Sequence, residues 1–354
     1  MIKNEYNIIG VMSGTSLDGI DLALISFSLN KSWTFNIIKA ETIAYAEEWL
    51  NKLKILVNFS KKELTRLDTD YTLYLAEVIQ NFITKNNITK IDAICSHGHT
   101  ALHQPQHKLT YQIGNLPVLA EILNQTIVCN FRIEDVALGG QGAPLVPIGD
   151  QLLFSEYNYC LNLGGFANVS TQIKGKRIAF DICPVNIVLN KYVSKLGFAY
   201  DDRGDLARQG TLNNNLLNEL NKLQFYKENY PKSLGLEWVN DTIFPIINNH
   251  KLSVDDILRT FVEHIAIQIS KVLNMKQNAS VLITGGGVFN SFLMSRIKHL
   301  CNNIVETPSK KIIEFKEALI FGFLGVLKLR DENNCLASVT GARKDHSSGV
   351  IFQL

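Results

Sequence analysis

Small and hydroxyl residues gather where two apolar runs meet near the start of the chain. Residues 8–12 (IIGVM) and 20–26 (IDLALIS) read as strands, and between them lie Ser13, Gly14, Thr15, Ser16, Leu17, Asp18 and Gly19. A tight turn needs one or two such residues. Glycine lets backbone N–H groups approach a ligand closely, and hydroxyls add donors, so the stretch from Gly14 through Ile20 to Asp21 has the makings of a phosphate cradle. It is not a Walker loop, because G-x-x-x-x-G-K-[ST] is missing and a strand rather than a helix follows. The same succession excludes the dinucleotide fingerprint of a βαβ unit.

A second glycine loop, Thr284-Gly285-Gly286-Gly287, follows a strand-like run and precedes a helix-like one. With Asn290 it could hold the far end of a nucleotide. Asp181 closes the run RIAFD, and a carboxylate at a strand end can take a proton from water or from a hydroxyl. The alternative is a helix N-cap, since Pro184 and NIVLN (186–190) resemble a helix start. Arg132 follows another strand-like run and could clamp a carboxylate through two parallel hydrogen bonds, or form a surface ion pair. His97 and His99 flank Gly98. No third ligand accompanies them, so a metal pair is not indicated; one of them, with His97 the candidate, could hydrogen-bond a ligand, and a structural role is the alternative. Glu317 lies on an otherwise apolar helix, where burial without a partner would be costly. It reaches a ligand there or faces solvent. Asn168 falls in the turn of a second hairpin.

These residues need a scaffold. The 354 residues suit two or three domains, or two lobes of one fold, and 46% apolar content is ample for their cores. Lys and Arg number 35 against 33 Asp and Glu, a net charge of +2, which gives no reason to expect nucleic acid or an anionic membrane as partner. The N-terminus lacks the apolar core of a signal peptide, and no run approaches a membrane span of about 20 residues. The six cysteines are scattered without a C-x-x-C pair, which suits buried free thiols in a reducing cytoplasm. Strand-like and helix-like runs alternate, so the fold class is α/β. Ser60 and Glu63 form a capping box before the helical stripe Leu64, Leu67, Tyr71, Tyr74, Leu75, Val78 and Phe82. KIDAIC (90–95) is a strand ending at SHGHT (96–100), LTYQI (109–113) and TIVCNF (126–131) are further strands, and LPVLAEIL (116–123) is a helix. The Gly- and Pro-rich stretch 137–147 marks a lobe boundary. Strands over 159–171 and 177–182 form a second hairpin, residues 252–273 an amphipathic helix, and 314–329 a buried one. The expected lobes are residues 1–135, with 331–354 as a candidate completion, and residues 136–330, which carry Asp181 and the second glycine loop.

A β-hairpin whose turn binds phosphate, followed later by a glycine loop, resembles the actin, heat-shock chaperone and sugar-kinase superfamily. The likeness sharpens over nearly the full length. GVMSGTSLDGID, SHG-T, NFR, GGQGAPLVP, LNLGGFANVS, GGGVFN, EAL-FGFLG and SVTGARK resemble, in order, the blocks of the anhydro-N-acetylmuramic acid kinase family. The resemblance implies a two-lobe actin-like ATPase or sugar-kinase fold with an interlobe cleft that closes on substrates. It implies a cytoplasmic homodimer that uses ATP and Mg2+ to open the 1,6-anhydro ring of its sugar with water and phosphorylate O6, as in peptidoglycan recycling. In that scheme Asp181 is the base. Gly14, Thr15, Ser16, Leu17, Asp18, Gly19, Ile20, Asp21, Gly285, Gly286, Gly287 and Asn290 bind ATP, and His97, Arg132, Asn168 and Glu317 bind the sugar. The metal ligands stay open, because Met12 stands where many superfamily members have an acidic residue. A plain sugar kinase, and a non-catalytic ATP-binding regulatory protein, are the rival readings.

Two blocks depart from the family. Its F-D-T-G-P-G-N is Phe180-Asp181-Ile182-Cys183-Pro184-Val185-Asn186 here, and its S-H-G-Q-T has His99 in place of Gln. Both departures are expected on the sugar side, with the ATP hairpin intact. Cys183 is expected as a packed thiol rather than a nucleophile.

Overall fold

The apolar runs around the first glycine loop form β1 (Glu5–Ser13) and β2 (Ile20–Leu29), paired antiparallel with Met12 opposite Asp21. In this computed structural model, which describes residues 3–14 and 17–353, Thr15 and Ser16 of the candidate cradle lie outside the described residues. A third antiparallel strand, β3 (Trp33–Ile43), extends the hairpin. On the other side of β1, β4 (Ala93–Gln104) and β6 (Ile127–Cys129) run parallel to it in turn. β5 (Leu109–Ile113) pairs antiparallel with β4, and β12 (Val350–Phe352) with β6. The result is a seven-stranded sheet of order β12-β6-β4-β1-β2-β3, with β5 set beside β4.

Its two faces are covered by helices for different reasons. Ile9 and Val11 of β1 join Leu64, Leu67, Tyr71, Leu75 and Phe82 of the helix Lys61–Lys85 in one core. That helix starts at the expected capping box of Ser60 and Glu63. On the opposite face, Gly10 admits the helix Lys310–Leu329, since a Cβ there would stand 2.1 Å from the Ala318 carbonyl oxygen. Gly325 of that helix meets Cys95 of β4 in the same way, at 2.0 Å.

The second unit repeats the plan. β7 (Tyr159–Leu163), β8 (Phe166–Ile173) and β9 (Lys176–Pro184) form an antiparallel meander, and β10 (Ser280–Thr284) and β11 (Ile304–Glu306) run parallel on the far side of β7. The order β9-β8-β7-β10-β11 reproduces β3-β2-β1-β4-β6 in sequence and in strand sense. Its core is filled from the helices Asn186–Val193, Val254–Leu273 and Ser291–Leu300. This duplicated mixed α/β plan is the one implied by the resemblance to actin-like ATPases and sugar kinases.

The compact units are residues 1–153 with 315–354, and residues 154–314. The divisions at 153/154 and 314/315 differ from the expected 135/136, placed by the Gly- and Pro-rich stretch, and from the expected 330/331. Packing explains the shift. The helix Val146–Leu153 stays with the first unit through Gly149 against Ile320 and a buried Asp150–Lys316 ion pair at 2.7 Å. All six cysteines are buried and free. No helix of the described residues is long and apolar enough to cross a membrane.

Candidate active site

The first hairpin is pinned at Ser13, which is buried where β1 gives way to the glycine loop. Its hydroxyl meets His99 Nδ1 at 2.7 Å and accepts from the Tyr71 hydroxyl at 3.1 Å. It also contacts the Tyr45 hydroxyl, which in turn lies 2.8 Å from that of Tyr71. Burial pushes His99 down to about 4, so its ring is neutral. Beyond Ser13 the Leu17 amide donates to the Gly14 carbonyl at 3.3 Å, with Leu17 at φ +61°. Gly19 packs on β3, where a Cβ would lie 2.5 Å from the Ile43 carbonyl oxygen. Asp18 is exposed, and half-buried Asp21 accepts from the Thr42 hydroxyl at 2.6 Å.

His97, Arg132 and Glu317 gather in the same unit. Arg132 donates Nε–H to His97 Nε2 at 2.9 Å and Nη1–H to the Gly142 carbonyl at 2.6 Å. His97 donates Nδ1–H to the Gly98 carbonyl at 2.8 Å, so both of its ring nitrogens are used within the protein. Phe321 supports both groups, with the His97 ring centroid 4.5 Å away and the guanidinium carbon 5.6 Å over its face. Burial, then the Arg132 charge, holds His97 well below the usual histidine range, so it is a neutral acceptor. Glu317 stands one helical turn before Phe321. Its side chain is accessible, yet desolvation raises its carboxyl against the pull of Arg132 and Lys316.

Asp181 lies inside β9, and the helix Asn186–Val193 begins beyond it, so it is not that helix's cap. It is opposite Asn168 on β8, which is opposite Asn162 on β7, which pairs with Thr284 on β10. Side chains of opposed residues share a face, so the four make one polar row across the sheet. The Asn162–Asn168 pair repeats, in the second hairpin, the place that Met12–Asp21 takes in the first. Leu234 N–H donates to Asp181 Oδ2 at 2.7 Å, and the Asp181 amide donates to the Lys232 carbonyl at 3.1 Å. Desolvation raises the Asp181 carboxyl, and the Leu234 bond opposes this. The departures beside it point elsewhere: Ile182, Cys183 and Val185 are buried in the core of the second unit. Burial also drives the Cys183 thiol far up, which keeps it protonated and inert.

At the second glycine loop, Gly285 has φ +87°, and a Cβ there would meet Asn162 Oδ1 at 2.5 Å and the Leu163 carbonyl oxygen at 2.7 Å. Gly287 packs on Leu163. A Cβ added at Gly286 would meet nothing within 4 Å, so this residue offers open backbone. Asn290 caps the helix Ser291–Leu300, its side-chain carbonyl accepting from Leu293 N–H at 2.9 Å. The loop therefore leans on the strand that carries Asn162.

Sequence reasoning assigns no site role to Ser13, Tyr45, Phe321 or the 232–234 segment, and reads Tyr71 only as part of a helical stripe. Only Ser13 leaves a local signal, as the first hydroxyl of the loop. The donor set does fit a magnesium–nucleotide: Asp18 and Asp21 offer the oxygen ligands a hard cation takes, and Gly286 offers room for close backbone approach.

The family model for anhydro-N-acetylmuramic acid kinase matches residues 6–354. The chain is 34% identical to the anhydro-N-acetylmuramic acid kinase of Haemophilus influenzae, covering 99% of this chain and 98% of that one. It is 33% identical to the Mannheimia succiniciproducens enzyme of the same name, covering 99% and 100%. For that of Pasteurella multocida the identity is 35%, covering 97% and 96%.

Proposed function

The chain belongs to the anhydro-N-acetylmuramic acid kinase family, and on that premise we propose that it opens the 1,6-anhydro ring of anhydro-N-acetylmuramic acid with water and phosphorylates O6 from ATP. Asp181 is the base. Water loses a proton to the Asp181 carboxylate and forms a bond to C1, and the bond from C1 to the bridging oxygen breaks. That oxygen, freed on C6, takes the γ-phosphoryl group, and ADP leaves. The products are N-acetylmuramic acid 6-phosphate and ADP.

The observation that supports this role most directly is the setting of Asp181. Its carboxyl is raised by desolvation, which makes the carboxylate a better base, and the Leu234 amide holds one oxygen in place. Asn168, opposite it, is assigned to the sugar. Arg132 and Glu317 are assigned to the sugar's polar substituents, with Arg132 suited to a carboxylate. His97 is assigned through Arg132, whose Nε it occupies.

The nucleotide's phosphates are assigned to the loop from Gly14 to Asp21, including Thr15, Ser16, Leu17, Asp18, Gly19 and Ile20. The second loop, Gly285, Gly286 and Gly287, is assigned to its other end. Asn290 contributes there by capping the helix that follows. Magnesium, when bound with the nucleotide, neutralises charge on the transferring phosphoryl group, and Asp18 and Asp21 are the carboxylates that would hold it. A homodimeric state and a cytoplasmic location are carried over from the family resemblance. ATP consumption measured with and without the anhydro-sugar tests the assignment: turnover is expected only with the sugar, and sugar-independent turnover would contradict it.

A further inference from the structure

Asp135, Cys335 and His346 come from distant points of the chain and converge inside the first unit. They are 0%, 1% and 4% exposed, and one ligand atom from each lies within 4.8 Å of the others. The backbone brings them there. Cys335 and His346 are opposed in an antiparallel bridge, with N–H to carbonyl distances of 3.0 and 3.2 Å, which turns both side chains to one side of the ribbon. Asp135 arrives on the short helix Ile133–Ala137, which starts directly after Arg132.

The histidine is set up as a ligand. Its Nδ1 lies 3.0 Å from the Lys344 carbonyl oxygen, an acceptor, so Nδ1 is a donor and, in the neutral ring, Nε2 is the atom that offers the lone pair. Nε2 is buried and has no hydrogen-bond partner. Its neighbour is Asp135 Oδ1 at 3.5 Å, which in this tautomer sets one lone pair against another. The aspartate is set up in the same manner. Thr340 donates its hydroxyl to Oδ1 at 2.7 Å, and Gly142 N–H donates to Oδ2 at 2.7 Å. A carbonyl behind a histidine and fixed donors behind a carboxylate are the supports that orient metal ligands.

We propose that Asp135, Cys335 and His346 form a site for a divalent cation of the zinc class. One sulfur, one imidazole nitrogen and one carboxylate oxygen suit zinc, while a thiolate is a poor ligand for magnesium or calcium. Binding forms a metal–sulfur bond and sends the thiol proton of Cys335 to solvent, with no change of oxidation state. The imidazole binds in its neutral form through Nε2 and the carboxylate through an oxygen, and the fourth tetrahedral position is left to water. The metal ties the C-terminal ribbon to the turn that begins at Arg132, and so fixes the backbone of that arginine. The site is independent of the phosphoryl-transfer assignment.

The test uses the full chain, stripped of metal with a chelator and titrated with Co2+ alone, then with Zn2+. One equivalent of cobalt is expected to produce a sulfur-to-cobalt charge-transfer band with tetrahedral d–d bands, and zinc to displace it. Cys335→Ser should abolish the charge-transfer band. His346→Gln, which keeps all six cysteines, should weaken binding by more than about 100-fold, since loss of a supporting contact alone costs about 10–100-fold. X-ray absorption on zinc-loaded wild type should show one sulfur in a mixed S/N/O shell, and it needs no variant to fold. No charge-transfer band in the folded wild type, a band unaffected by either substitution, or a zinc shell without sulfur would overturn the proposal in favour of a His346–Asp135 ion pair.

Discussion

Arg132 gives its Nε–H to His97 Nε2 at 2.9 Å, and His97 can accept it because its own Nδ1–H is committed to the Gly98 carbonyl. The imidazole thus serves as a fixed, neutral stop for the guanidinium. His97→Phe fills the space but leaves the Arg132 donor without its acceptor. The sugar KM is expected to rise about 10- to 100-fold, the range for a lost hydrogen bond to a charged group. The ATP KM should change little. His97→Gln, which retains an acceptor, should recover part of the loss. Equal effects on both substrates would show that the pair does not serve the sugar.

Asp181→Asn separates chemistry from folding. The amide keeps the shape and can still accept from Leu234 N–H. It cannot take a proton, so kcat should fall by about 10²–10⁴-fold. The native pKa of Asp181 is raised, so the folded state binds its proton more tightly than the unfolded state does. Stability from this group is therefore present at low pH and lost as pH rises through the native pKa. The variant removes that cost, and its Tm at neutral pH should equal or exceed that of the wild type. A loss of Tm matching the loss of activity would make Asp181 structural.

Ser13→Ala removes the point where Tyr45, Tyr71 and His99 meet. Leaving the buried His99 Nδ1 without its partner, with the two tyrosine hydroxyls paired only to each other, is expected to cost about 1–3 kcal/mol, read as a lower denaturant midpoint. The ATP KM should rise more than the sugar KM, because the glycine loop starts at the next residue. An unchanged ATP KM in the folded variant would detach this network from nucleotide binding.

Restoring the family pattern with Ile182→Thr, Cys183→Gly and Val185→Gly is expected to destabilise the protein by roughly 3–6 kcal/mol, the cost of emptying three core positions. All three side chains are in the core of the second unit. An unchanged Tm with a shifted sugar KM would return these residues to the substrate side.

Local patterns are legible in the sequence, and long-range ones are not. The capping box at Ser60 and the strand 109–113 need only neighbouring residues, and both stand in the structure as expected. SHGHT reads as the end of a strand, but β4 continues to Gln104, with Gly98 at φ +69° absorbing a register shift against β1. β3 escapes detection because its exposed, charged face interrupts the apolar signal of a strand. The Ser13 network joins residues 32, 58 and 86 positions apart, a spacing no periodicity can reveal. The departures after Asp181 are expected beside the sugar because sequence proximity to the base is all that places them. A β-bulge at Ile182, where β9 has one residue more than β8 between Asp181 and Cys183, and the start of the following helix turn them into the core instead.

Coupling of ring opening to phosphorylation is the central claim, and oxygen-18 water tests it most directly. With anhydro-N-acetylmuramic acid and MgATP, heavy oxygen should appear on C1 of freshly formed product, read before the reducing sugar exchanges with solvent. None should enter the bridge between C6 and phosphorus, since that oxygen was already on the sugar. A contradictory result would be phosphorylation of the ring-opened sugar alone with no reaction of the anhydro-sugar, or label in the phosphate bridge.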